Sequence, residues 1–243
     1  RCARMRRRGM AAGLLALCCV FGAARAETSL VSTLTAAAPA ANPKVLQLAV
    51  RAAECARRQG RLDGFHRLAV IDYSLPSTQP RLWVFDVDHG RLLFQELVAH
   101  GRNTGEAMAH QFSNVDGSKM SSLGLFQATD TYYGNNGYSL RLKGLDTGFN
   151  DRALDRAIVM HGAPYVSEAI AERLGRLGRS WGCPAVRQEV ARGMIDTLKG
   201  GALLFAYYPD RAWLSQSTFF KCGEAPGAQS VIASAADTVP PRG

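Results

Sequence analysis

Between Arg67 and Pro209 the chain breaks into apolar runs of strand length, parted by turn residues. They are Leu68–Tyr73, Leu82–Val87, Leu92–Val98, Leu123–Thr129, Tyr138–Leu142, Ala157–Met160 and Ala202–Tyr208. Each is shorter than a typical helix, so strands are expected. Leu82–Val87 and Leu92–Val98 flank Asp88-His89-Gly90-Arg91 and read as a hairpin. Two helical patterns stand outside this set. Val45, Leu48, Ala49, Ala52, Cys55 and Ala56 share a stripe behind Asn42-Pro43, an N-cap with a first-turn proline. Val186, Val190, Met194, Thr197 and Leu198 share another, ended by Gly200-Gly201. The expectation is one β-rich domain with flanking helices over residues 43–222. Gly101 to Ser122 is polar and aperiodic, which suits a functional loop or lid.

The chain is 47% apolar and 20% charged. That excludes a disordered tail protein, a collagen and a multi-span membrane protein. Its net charge of +9 would suggest a nucleic-acid binder, but the charge is unevenly placed. Arg1, Arg4, Arg6, Arg7 and Arg8 precede an uncharged run from Met10 to Gly22, and Ala24-Arg25-Ala26 follows. This is the pattern of a secretory signal peptide over residues 1–26, with Met5 or Met10 the expected start. Six of the 29 basic residues lie there and none of the 20 acidic ones, leaving 23 against 20 and a net +3 after cleavage. No nucleic-acid partner is therefore expected. The run is also too short for a stable membrane anchor, which needs roughly 20 residues. Residues 27–42 read as a flexible leader, and residues 223–243 as a disordered tail.

Cleavage also leaves Cys55, Cys183 and Cys222 of six cysteines. Export implies an oxidising compartment. Pairing Cys55 with Cys222 would staple both ends of the domain and leave Cys183 free. No Cys-x2-Cys or His-x3-5-His spacing occurs, so neither metal nor cofactor is expected.

Ser180-Trp181-Gly182-Cys183-Pro184 opens the second helical pattern. A cysteine at a helix N-cap gains thiolate character from the dipole and free N–H groups. The N–H groups of Gly182 and Cys183 would then form an oxyanion hole. A thiolate nucleophile needs a base. His161 ends a buried run, is followed by Gly162, and lies 22 residues upstream. His66, His89 and His110 sit in turn-like stretches, whereas His100 opens the long loop and would line the cleft.

His161-Gly162 followed by Ser180-Trp-Gly-Cys183 resembles the signature of the L,D-transpeptidase (YkuD-type) family. Phe112-Ser-Asn114, Ser121-Ser-Leu-Gly124, Thr131-Tyr132, Gly137-Tyr-Ser-Leu140, Phe149-Asn-Asp151, Arg156-Ala-Ile-Val159 and Gly175 to Ser180 resemble its proteobacterial murein L,D-transpeptidase branch. The family's usual His before Gly-Cys is Trp181 here, and its usual Arg or Asn two residues after the Cys is Ala185. The resemblance implies a YkuD-like mixed β-sheet sandwich that needs no cofactor. It implies an exported periplasmic or cell-envelope enzyme whose partners are peptidoglycan stem peptides, and a target of carbapenems. Cys183 would be the nucleophile and His161 the base, with Gly162, Ser180 and Trp181 orienting them. Arg141, Arg179, Tyr138, Ser121, Ser122 and His100 would bind substrate, and Arg187 is a further candidate cation. A backbone carbonyl is expected to orient His161, with Asp151, Asn150 and Asn103 as alternatives. Competing readings are an L,D-carboxypeptidase and a non-catalytic wall-binding protein.

Overall fold

A computed structural model describes residues 29–222. The signal peptide and the C-terminal tail expected above lie outside them. The chain opens with a helix, α1 (29–37), followed by α2 (Pro43–Arg58). The strands are β1 (Arg67–Asp72), β2 (Leu82–Asp86), β3 (Arg91–Glu96), β4 (Gly124–Gly134), β5 (Gly137–Gly144), β6 (Val159–Gly162), β7 (Ala185–Val186) and β8 (Leu203–Tyr207). Helices α3 (Glu168–Leu174) and α4 (Gln188–Leu198) bracket β7, and α5 (Arg211–Gln216) with a 3₁₀ turn (Thr218–Phe220) closes the described chain. None of these helices is long and apolar enough to cross a membrane.

The strands form one mixed sheet in the order β3-β2-β1-β8-β4-β5-β6-β7. Parallel pairs occur at β1–β8 and β6–β7, and the other neighbours are antiparallel. The mainly β, helix-flanked class is thus the observed one. The segment that continues β3 bridges back to the other end of the sheet, Ala99 to Ala185 and Gly101 to Ser180. The sheet therefore curls so that β3 and β7, its two edges, meet through one stretch of chain. Strands β2 and β8 are buried along their whole length, because elements cover both faces. Strand β3 alternates exposed with part-buried side chains, as an edge strand does.

Asn42 accepts from the Lys44 N–H and starts α2, whose apolar stripe is buried from Val45 to Ala56. That stripe carries Cys55, which is disulfide-bonded to Cys222 with the Cα atoms 5.5 Å apart. The expectation of a flexible leader is corrected over residues 29–41. Leu34, Ala38 and Ala41 are buried in the main core, and burying them orders this stretch.

Candidate active site

His161 is placed by strand pairing. In the antiparallel β5–β6 pair, Ser139 faces His161 and Arg141 faces Val159. Directly paired residues project to the same face. In the parallel β6–β7 pair, His161 lies beside Ala185. Cys183 stands two residues before Ala185, level with Val159. Gly162 lets this strand approach α4. A Cβ there would lie 2.8 Å from Ala191 Cβ and 3.2 Å from Gln188 Cα.

The His161 ring is buried, and its Nδ1 lies 3.0 Å from the Gly162 carbonyl. A carbonyl only accepts, so Nδ1 carries the proton and Nε2 keeps its lone pair. Burial pushes the His161 pKa down, partly offset by that hydrogen bond, which favours the neutral ring. The alternatives are engaged elsewhere: Asn150 with Asp146 and Leu125, Asp151 with Asn114 and Gly148, Asn103 with Ser118.

Cys183 is the free cysteine among the described residues and is half-buried. Its thiol donates to the Ala157 carbonyl at 3.7 Å. Burial pushes the thiol above its ordinary value, while the Val159 N–H, the Arg156 guanidinium and its own N–H pull it down. These groups replace the expected helix terminus. Strand β7 intervenes between Cys183 and α4, whose N-cap is Arg187, because Ala185 and Val186 are taken up in pairing with β6.

The Cys183 loop is held from within. Ser180 Oγ donates to the Cys183 carbonyl at 2.6 Å and accepts from the Gly182 N–H at 3.0 Å. The expected oxyanion donor Gly182 is therefore corrected: its N–H is committed to Ser180. Trp181 is 72% exposed, with Lys119 Nζ 5.2 Å from its ring centroid.

The expected lid is instead a tied loop. Ser121 Oγ accepts from the Gly101 N–H and donates to the Gly182 carbonyl, both at 3.0 Å. Arg156 Nη1 donates to the Ser113 carbonyl and Ser122 Oγ, and Nη2 to Ser118 Oγ and the Met120 carbonyl. Among the described residues, Lys119 (φ 56°) and Ala157 (φ 51°) are the non-glycine positions with left-handed backbone. Both touch the Cys183 loop, where stored strain is common in functional sites.

The expected substrate residues separate. Arg141 lines a cavity of about 460 Å³ with Asp130, Tyr132, Leu154, Ala157 and Val159. One of its lining residues, Ala157, receives the Cys183 thiol at its carbonyl. The Arg141 guanidinium lies 4.1 Å from the Tyr132 ring centroid and 3.7 Å from Asp130. Ser121 and Ser122 serve the loop. Tyr138 points to the opposite face and donates to Asp196 on α4, because strand parity sets it one residue out of step with Ser139. Arg179 Nη1 is engaged by Glu106 and by the Arg102 and Gly105 carbonyls. Arg187 pairs with Glu96. His100 is buried between Arg81 and the Gly105 carbonyl, not in the cleft. Arg156, not singled out as a site residue, holds the 113–122 loop instead. Its sequence signals are its place just before the buried run Ala157–Met160 and in the family-like stretch Arg156-Ala-Ile-Val159. A larger hollow of about 600 Å³, lined by Gln127–Thr131 and Lys199–Gly201, contains none of these residues.

A curled mixed sheet thus brings a half-buried cysteine to the start of the strand that pairs with the His161 strand. Residues 37–207 match the family model of the L,D-transpeptidase catalytic domain, and the chain belongs to that family. No curated protein matches the chain. Among solved structures, an L,D-transpeptidase from Mycobacterium smegmatis is 14% identical, with 60% of each chain covered and a TM-score of 0.37. L,D-transpeptidase 3 from Mycobacterium tuberculosis is 16% identical, covering 60% of this chain and 62% of that one, with a TM-score of 0.35. The helical cell shape determining protein Pgp2 from Campylobacter jejuni (K307A mutant) is 12% identical, covering 70% and 52%, with a TM-score of 0.37. The chain spans about 60% of the length of the first of these.

Proposed function

We propose that the protein is an exported peptidoglycan L,D-transpeptidase of the periplasm or cell envelope. The observation that supports this reading is that Cys183 lies two residues before β7, the strand paired with His161, with the His161 Nδ1–H bound to Gly162 and Nε2 left to accept a proton. His161 takes the Cys183 proton, and the thiolate attacks the carbonyl of the third residue of a stem tetrapeptide. The Cys183 N–H stabilises the oxyanion. The carbonyl–nitrogen bond breaks, His161 protonates the departing D-Ala amine, and a thioester remains. The amine of a second stem attacks the thioester and gives its proton to His161. The new amide forms, and the thiol is regenerated with that proton. The cavity beside Ala157 suits the donor stem, with Arg141 facing a stem carboxylate.

Incubation with a defined disaccharide-tetrapeptide tests this by mass spectrometry, with Cys183→Ala as control. Cross-linked dimer with loss of D-Ala is the expected product. Tripeptide monomer alone would mean an L,D-carboxypeptidase. No product, or equal product from Cys183→Ala, would leave a wall-binding role. Covalent capture of a carbapenem by Cys183, absent in Cys183→Ala, is expected on the same reading.

A further inference from the structure

We propose that Arg156 is a positioning residue for this reaction. Its guanidinium clamps the 113–122 loop onto the backbone of Gly182 and so sets the Cys183 sulfur in place. The inference rests on the reading of Cys183 as the nucleophile. Four acceptors from one loop converge on the two terminal nitrogens of Arg156: the Ser113 and Met120 carbonyls and the hydroxyls of Ser118 and Ser122. The Met120 carbonyl lies against Gly182, where a Cβ would be 2.7 Å away. The neighbouring Ser121 donates to the Gly182 carbonyl. On its other side, Arg156 is bonded to Ala157, whose carbonyl holds the thiol and whose backbone is left-handed. Arg156 thus ties down the loop that rests on the Gly182 backbone, and itself directly precedes Ala157, whose carbonyl receives the thiol. Only a planar fork with several donors spans such a set.

Arg156 also supplies charge. The titratable groups that act electrostatically on the thiol are Arg156, Tyr73 and Tyr165, with His161 on the neighbouring strand β6; Asp116 and Arg152 act on Arg156. Tyr73 and Tyr165 are pushed up to about 12 by burial and stay neutral. Burial pushes the His161 pKa down, and the cation that acts directly on the sulfur is Arg156.

Two variants of the full chain test this, Arg156→Met and Arg156→Lys. Two readouts are the pH dependence of Cys183 alkylation by iodoacetamide, followed by mass, and steady-state turnover of the tetrapeptide. Arg156→Met is expected to move the alkylation midpoint to higher pH and to lower kcat at least about tenfold, with KM changed less. Arg156→Lys is expected to restore most of the midpoint but not kcat, since an ammonium cannot replace the fork. Wild-type midpoint and kcat in a folded Arg156→Met would overturn the proposal. So would full recovery of kcat in Arg156→Lys. If Arg156→Met fails to fold, the Lys variant decides alone. Alkylation needs no peptide, so a wild-type protein inert toward tetrapeptide would sink the proposed function and leave this test standing.

Discussion

Arg81 Nη2 donates to His100 Nδ1 at 2.8 Å, with both side chains buried. Arg81 also donates to the Val98 and Leu75 carbonyls, and His100 Nε2 to that of Gly105. The pair joins β2 to the start of the 101–122 loop. Nδ1 can accept only when the imidazole is neutral, and burial beside the Arg81 cation pushes the His100 pKa down to about 4.

A group whose folded pKa is depressed stabilises the fold above its unfolded pKa. That stability is lost as pH falls. The window here runs from about 6.5 down to about 4. Denaturant titration at pH 7 and pH 4.5 should show the wild type losing roughly 2–3 kcal/mol more than His100→Gln. Equal losses in the two proteins would refute this.

The Cys55–Cys222 bond closes 167 residues. Replacing both cysteines with serine should cost about 2–5 kcal/mol in denaturant unfolding. The alkylation rate of Cys183 should stay at the wild-type value, because this bond braces α2 against the C-terminal turn rather than the site. An unchanged unfolding midpoint would contradict the first expectation, and a changed alkylation rate the second.

Gly162 is where β6 meets α4. Gly162→Ala places a methyl 2.8 Å from Ala191 Cβ, so helix and strand must part. The expected cost is about 1–3 kcal/mol of stability. His161 precedes this position, so turnover should fall further than stability alone explains. Thermal unfolding and kcat measured together check this; full turnover in a destabilised variant would separate His161 from the α4 contact.

Trp181 is exposed beside the nucleophile, with one cation over its ring. Trp181→Ala should change stability by less than about 0.5 kcal/mol. Because Trp181 offers an exposed ring two residues from Cys183, KM for tetrapeptide should rise severalfold while kcat changes less. An unchanged KM would show that the ring does not meet the substrate.

Much of the framework was legible because it is local. Short apolar runs mark β1, β2, β3, β4, β5, β6 and β8, and an asparagine–proline start marks α2. Strand β7 was not legible: two residues after a loop carry no period, and only pairing with His161 and Gly162 makes them a strand. Helix α1 is masked by its small polar residues, although Leu30, Val31, Leu34, Ala37 and Ala38 recur at helical spacing and pack on the core.

The order of residues alone singled out Cys183 and His161 as the candidate pair and set them near strand ends. It also determined the family, through motifs that are contiguous in the chain. Tertiary structure decided which arginine acts beside the sulfur. Arg141, Arg156, Arg179 and Arg187 have the same chemistry, and only folding spends Arg179 on Glu106 and Arg187 on Glu96. It also committed the Gly182 N–H to Ser180 and turned Tyr138 to the far face. The physical reason is that a motif specifies which groups are present, while hydrogen-bond capacity and strand parity are settled by partners distant in sequence, such as the four acceptors around Arg156 that lie 34 to 43 residues away.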